Sequence, residues 1–102
     1  MIKLIALYRT PDNPAAFDEH YRTVHMPLAQ KMPGLRQMEI SHMKPVGSAQ
    51  TTSSYYLMAE MTFDNEQALQ EALQSDAGKA SARDLQVFAQ GLVELYIGTP
   101  DD

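Results

Sequence analysis

The chain predicts an α+β sandwich of the ferredoxin-like type, ordered βαββαβ, with a four-stranded antiparallel sheet carrying its helical segments on one face. Three observations lead there. Runs rich in β-formers stand near both ends and as a pair in the middle, and two stretches of helical periodicity separate them. At 102 residues the chain is long enough for one core and too short for two, so residues 1–102 are read as a single domain.

Residues 2–9, IKLIALYR, form the first strand, closed by the turn signal TPDNP. Asn13 is a natural N-cap for the following helix, Pro14 suits its first position, and Asp18 and Glu19 favour the positive end of its dipole. At about 100° per residue, Phe17, Tyr21, Val24 and Leu28 fall on one stripe, which is the expected core face. Pro27 disfavours helical geometry at Met26, so the helix is expected to break there, leaving His25 at a helix end before a short turn that stops at Pro33 and Gly34. Residues 35–43, LRQMEISHM, and residues 55–64, YYLMAEMTFD, read as the second and third strands, joined by the polar loop KPVGSAQTTS, whose length suits a lid or rim. Asp64 or Asn65 caps the next helix, with Ala68, Leu69, Ala72 and Leu73 inward, and Ser75 and Asp76 restart it. The continuation carries Ala77, Ala80, Leu85 and Phe88, and after Gly91 the run LVELYIG makes the fourth strand.

The strands bear on assembly. One side of each is wholly apolar: Ile2, Leu4, Ala6 and Tyr8; Leu57, Ala59, Met61 and Phe63; Val93, Leu95 and Ile97. Those sides are assigned to the helices. The other side mixes Ile5, Leu7, Met58, Leu92 and Tyr96 with Lys3, Glu39, Glu60 and Glu94. Such a surface suits a partner sheet, and a homodimer packed sheet against sheet is expected.

Composition narrows the function classes. A net charge of −5, with no run of basic residues, lacks the electrostatic footprint of a nucleic-acid binder. The absence of cysteine removes disulfides, thiolate metal sites and a cysteine nucleophile. No apolar run is long enough for a membrane span or a signal core, and the chain is read as cytoplasmic, with neither nucleic acid nor membrane as a partner. No phosphate-binding glycine loop, nucleotide fingerprint or Ser-His-Asp arrangement is legible, so no cofactor is expected. His20 and His25 lie five apart, about 140° around an α-helix, which is the wrong spacing for two metal ligands on one face. No metal site is expected, and His20 is read as a solvated or dimer-rim group.

The stretch KLIALYRTPDNPAAFDEHYRTVHMPLAQKMPGL resembles the opening of the EthD-like family, within the dimeric α+β barrel superfamily. The segment YYLMAEMTFDNEQALQEALQSDAGKASARDLQVFAQG is similar to that family's second half, so nearly the whole chain is covered. The resemblance implies a homodimer whose sheets close into a barrel, a ligand cavity between each monomer's helices and sheet, and an association with ethyl tert-butyl ether degradation beside a haem monooxygenase. Superfamily relatives include cofactor-independent monooxygenases, cyclases and isomerases, so the fold does not select a reaction.

His25 has two readings: a structural histidine tied to a carbonyl at a helix end, or a proton donor and acceptor at the mouth of the cavity, the reading the family motif supports. Tyr21, one turn earlier, is either core or a second polar group of the same site, and Tyr8 brings a hydroxyl toward the cavity from the first strand. Asp84 matches the family pattern in the second helix, against its reading as a solvated acid. Met38, Met58 and Met61 fill the core or form a pliable apolar ligand wall. His42 is expected at solvent or at the cavity lip, and Glu39, Glu60 and Glu94 in ion pairs with Lys3 or Arg9. The expected protein binds an apolar or aromatic oxygenated small molecule, with His25 and Tyr21 as the reactive pair and Tyr8, Met38, Met61 and Asp84 around the ligand. Its chemistry is proton transfer or oxidoreductase-type without a cofactor. The alternative is a non-catalytic accessory dimer that binds the same kind of ligand beside a monooxygenase.

Overall fold

A computed structural model describes residues 1–47 and 54–101. The loop expected to act as a lid or rim, residues 44–53, lies largely outside the described residues. The elements are β1 (Ile2–Arg9), α1 (Pro14–His20), a π-helical turn (Tyr21–His25), α2 (Met26–Gln30), β2 (Gln37–His42), β3 (Tyr55–Phe63), α3 (Glu66–Gln74), α4 (Asp76–Phe88) and β4 (Val93–Gly98). The sheet runs β2-β3-β1-β4, every pair antiparallel, which is the ferredoxin-like α+β order. No helix among the described residues is long and apolar enough to cross a membrane.

Alternation along the strands sorts their side chains as expected. Ile2, Leu4, Ala6 and Tyr8 of β1 and Leu57, Ala59, Met61 and Phe63 of β3 are buried under the helices, where Phe17, Tyr21, Leu69 and Ala72 meet them. β4 departs from the expectation. Val93 packs on the core, but Leu95 and Ile97 stay about half exposed on the same side, because β4 is an edge strand that the helical layer covers only in part. Side-chain caps set the helix starts: Asn13 Oδ1 accepts from Ala16 N–H at 3.1 Å, Asn65 Oδ1 from Ala68 N–H at 2.8 Å, and Ser75 Oγ from Gly78 N–H at 3.1 Å. Asp18 lies past the first turn of α1, and its carboxylate instead accepts from the Tyr56 hydroxyl at 2.7 Å and faces His42 Nε2 at 3.3 Å.

The first helix does not break at Pro27. A proline ring in a regular α-helix meets the carbonyl four residues back and removes one hydrogen bond. Here Met26 N–H reaches the Tyr21 carbonyl, a spacing of five, and the widened turn carries the chain into α2 with Pro27 in its first turn, where an N–H is not needed. The insertion rotates the stripe. Val24, expected inward, is 40% exposed, while Phe17, Tyr21, His25 and Ala29 take the buried row.

Candidate functional site

His25 is 4% exposed, within a helical run rather than at its end, and its Nδ1 lies 3.0 Å from Asp84 Oδ2 on α4. The reading as a helix-end cap tied to a carbonyl is therefore replaced by a side-chain pair. His20, read as a solvated or rim group, joins it: His20 Nε2 stands 2.9 Å from Asp84 Oδ1 and 3.1 Å from Oδ2. The π turn is the reason. Hydrogen bonding from residue i to i+5 widens the turn and brings positions five apart toward one face, whereas α geometry sends them to opposite edges. Phe88, one turn beyond Asp84, stacks on His20 at 4.6 Å between centroids and packs against His25 at 5.0 Å, covering the pair with an apolar ring.

A carboxylate only accepts, so Asp84 takes the Nδ1–H of neutral His25 and leaves the Nε2 lone pair as the ring's reactive position. Burial lowers the His25 pKa below its ordinary 6.5, and the hydrogen bond and charge of Asp84 oppose that only in part. His25 is thus neutral at pH 7, the form that accepts a proton. Its ring lines an apolar cavity of about 60 Å³ between the sheet and α4, together with Leu4, Ala6, Tyr8, Met61 and Leu95.

The remaining predicted residues divide. Tyr8 and Met61 line this cavity; Met38 does not, packing on the core from β2 opposite Met61. Asp84 sits behind His25 rather than on the cavity wall. Tyr21 is buried with its ring 5.3 Å from His25 and 5.6 Å from Tyr8, and lines a separate groove with Asp18, Arg22 and His42. Burial raises both tyrosine hydroxyls well above the usual phenol range, so each is a hydrogen-bond donor rather than an anion. Among the described residues no group of three or more His, Asp or Glu is arranged to hold a metal ion. Both histidines spend a nitrogen on one carboxylate instead. Sequence reasoning missed His20 and Phe88, and Pro27 within a helical stretch was the one signal that the spacing there is not α-helical.

Comparisons with known proteins bear on the fold and the family. An uncharacterized 11.0 kDa protein from the thcB–thcC intergenic region of Rhodococcus erythropolis is 30% identical over 95 residues, 93% of this chain and 90% of that one. The crystal structure of an EthD family protein from Bacillus halodurans C-125 is 48% identical and superposes with a TM-score of 0.90, covering 99% of each chain. A dimeric ferredoxin-like protein of unknown function from Thermobifida fusca YX shares the fold at 16% identity and a TM-score of 0.71, covering 97% of this chain and 90% of that one. Residues 10–92 match the model of the EthD domain, and the chain belongs to that family.

Proposed function

We propose that this EthD domain protein binds a small oxygenated molecule, apolar or aromatic in character, against His25 and exchanges a proton with it at Nε2. One observation carries the reading: a buried histidine, held by a buried carboxylate through one nitrogen, lines an apolar cavity. That is the arrangement of a general base, with Asp84 fixing the tautomer and stabilising the imidazolium that forms. Tyr8, on the same wall, supplies a donor for a substrate oxygen, and Tyr21 supports both rings from behind. Size limits what enters. An apolar cavity of about 150 Å³ takes a benzene molecule. The cavity of about 60 Å³ accepts only the reacting portion of such a ligand, with the remainder emerging past Leu95. The chemistry within reach is enolisation, cyclisation or dehydration, or, with dioxygen as the co-substrate and oxidant, oxygenation of an electron-rich substrate.

The active assembly in this reading is a homodimer. The uncovered side of the sheet carries Ile5, Leu7, Met58 and Tyr96 between the ion pairs Lys3–Glu60 and Arg9–Glu94, a surface suited to a second sheet, and the protein of the same fold from Thermobifida fusca is described as dimeric.

The test needs no knowledge of the natural substrate. Small enolisable ketones are incubated with the protein in D2O, and deuterium uptake beside the carbonyl is followed by NMR. His25→Gln should lower the catalysed exchange by about 10²–10⁴-fold while ligand affinity changes little. Binding of these ketones without catalysed exchange would leave the accessory, ligand-holding role in its place.

A further inference from the structure

The Asp84 carboxylate joins two histidines that live in different surroundings. His25, with a side chain 5% exposed, faces the apolar cavity. His20, with a side chain 30% exposed, lines a separate surface groove with Pro11, Asp12, Asn13 and Phe88. Asp84 Oδ2 is within 3.1 Å of His20 Nε2 and 3.0 Å of His25 Nδ1, so one oxygen serves both rings. Whatever charge His20 carries is therefore felt across a single buried carboxylate, where solvent screens poorly.

We propose that His20 is a positioning residue that controls this site from the solvent side: its N–H holds the Asp84 carboxylate toward His25, and its charge sets how readily His25 takes up a proton. The inference rests on the proposed proton exchange at His25 for its purpose, though not for its test. With His20 neutral, Asp84 offers its full charge to the imidazolium that forms at His25. With His20 protonated, that charge is already matched and His25 becomes a weaker base. The charge of a side chain at the surface groove is thus felt by a base buried beside the cavity. The groups facing the pair are few: Asp84 from α4, Tyr21 from the π turn, Tyr8 from β1, and Asp12 in the groove that His20 lines.

A charge coupling of this kind moves the titration of His25, which a merely structural role would not. NMR titration of the imidazole resonances reads it directly. In His20→Gln, which keeps an N–H donor for Asp84 but carries no charge, the His25 midpoint should rise. His20→Phe removes the donor as well, and the Nδ1 proton of His25 should exchange with water faster than in His20→Gln. A His25 midpoint that does not move in His20→Gln would overturn the proposal. The ketone exchange assay is independent, so either result stands apart from the proton-transfer reading itself.

Discussion

Asp84 is a side chain whose loss should be felt in two places at once. Replacing it with alanine leaves the buried Nδ1–H of His25 without an acceptor and frees His20, and an unsatisfied buried donor costs about 1–3 kcal/mol. Urea unfolding of Asp84→Ala should show a loss of that size, against a change within about 0.5 kcal/mol for the exposed Glu71→Ala. A loss no greater than the Glu71 control would mean that the carboxylate does not hold the pair. His25 adds a pH dependence of defined sign. Its folded pKa lies below the ordinary 6.5, so between the two values the unfolded chain binds a proton that the folded chain does not. The resulting stability is complete above about pH 6.5 and declines as pH falls from there to the folded value. Unfolding free energies measured between about pH 7.5 and pH 5 should fall more steeply for the native chain than for His25→Gln, since the other titrating groups are common to both. Parallel curves would contradict the burial argument. At this scale the sequence was partly legible. His25 stood out as a polar residue bordering an apolar stripe, but its partner lies 59 positions away and no local pattern pairs them.

Strands and caps were the most legible elements, because each is written in adjacent residues. β1 spans the expected residues 2–9, and Asn13, Asn65 and Ser75 cap as their side-chain chemistry requires. The first helix was legible in extent and not in rotation. Periodicity assumes a fixed angle per residue, and one inserted residue at the π turn exchanges Val24 for His25 on the buried row. The α3–α4 junction gives the element-scale prediction. Glycine to alanine inside a helix ordinarily gains about 1 kcal/mol. At Gly78 a Cβ would stand 2.1 Å from the Ala72 carbonyl oxygen and 2.8 Å from Leu73 Cα, and both are backbone atoms that cannot swing aside. The clash wins over propensity. Gly78→Ala should be destabilised by about 1–3 kcal/mol through overpacking, read as a lower thermal midpoint. Since Gly78 also lines the His25 cavity, ligand affinity should fall with it.

The whole molecule presents a sheet with one side covered and the other bare. On the bare side, β1 and its neighbours set Ile5, Leu7, Met58 and Tyr96 side by side, and Glu60 and Glu94 among them are already matched within the chain, whereas Glu39, expected in an ion pair with Lys3 or Arg9, stands opposite Glu60 on the sheet's edge strand and makes no ion pair among the described residues. Lys3 pairs with Glu60 at 3.2 Å, and Glu94 accepts from Arg9 and from the hydroxyls of Tyr55 and Tyr96. Charges that are paired and hydrogen-bonded can enter an interface at far lower cost than lone ones, so this surface is prepared for burial. Ile5 even leans across Gly98, where a Cβ would approach to 2.8 Å, which keeps the strand surface low and continuous. A stable pairing needs about 600–1,000 Å² from each partner, an area that one side of a four-stranded sheet can supply. Light scattering of the native chain should therefore give about twice the 11.4 kDa chain mass. Leu7→Asp places an unmatched carboxylate at the middle of that surface, and should yield monomers or aggregates. Val87→Asp is the control: Val87 is 77% exposed on α4, on the helix side of the sheet, and the same charge there should leave the mass unchanged. A Leu7→Asp chain that keeps the doubled mass would place the partner on another surface, and the exposed apolar edge at Leu95 and Ile97 of β4 would be the next to test.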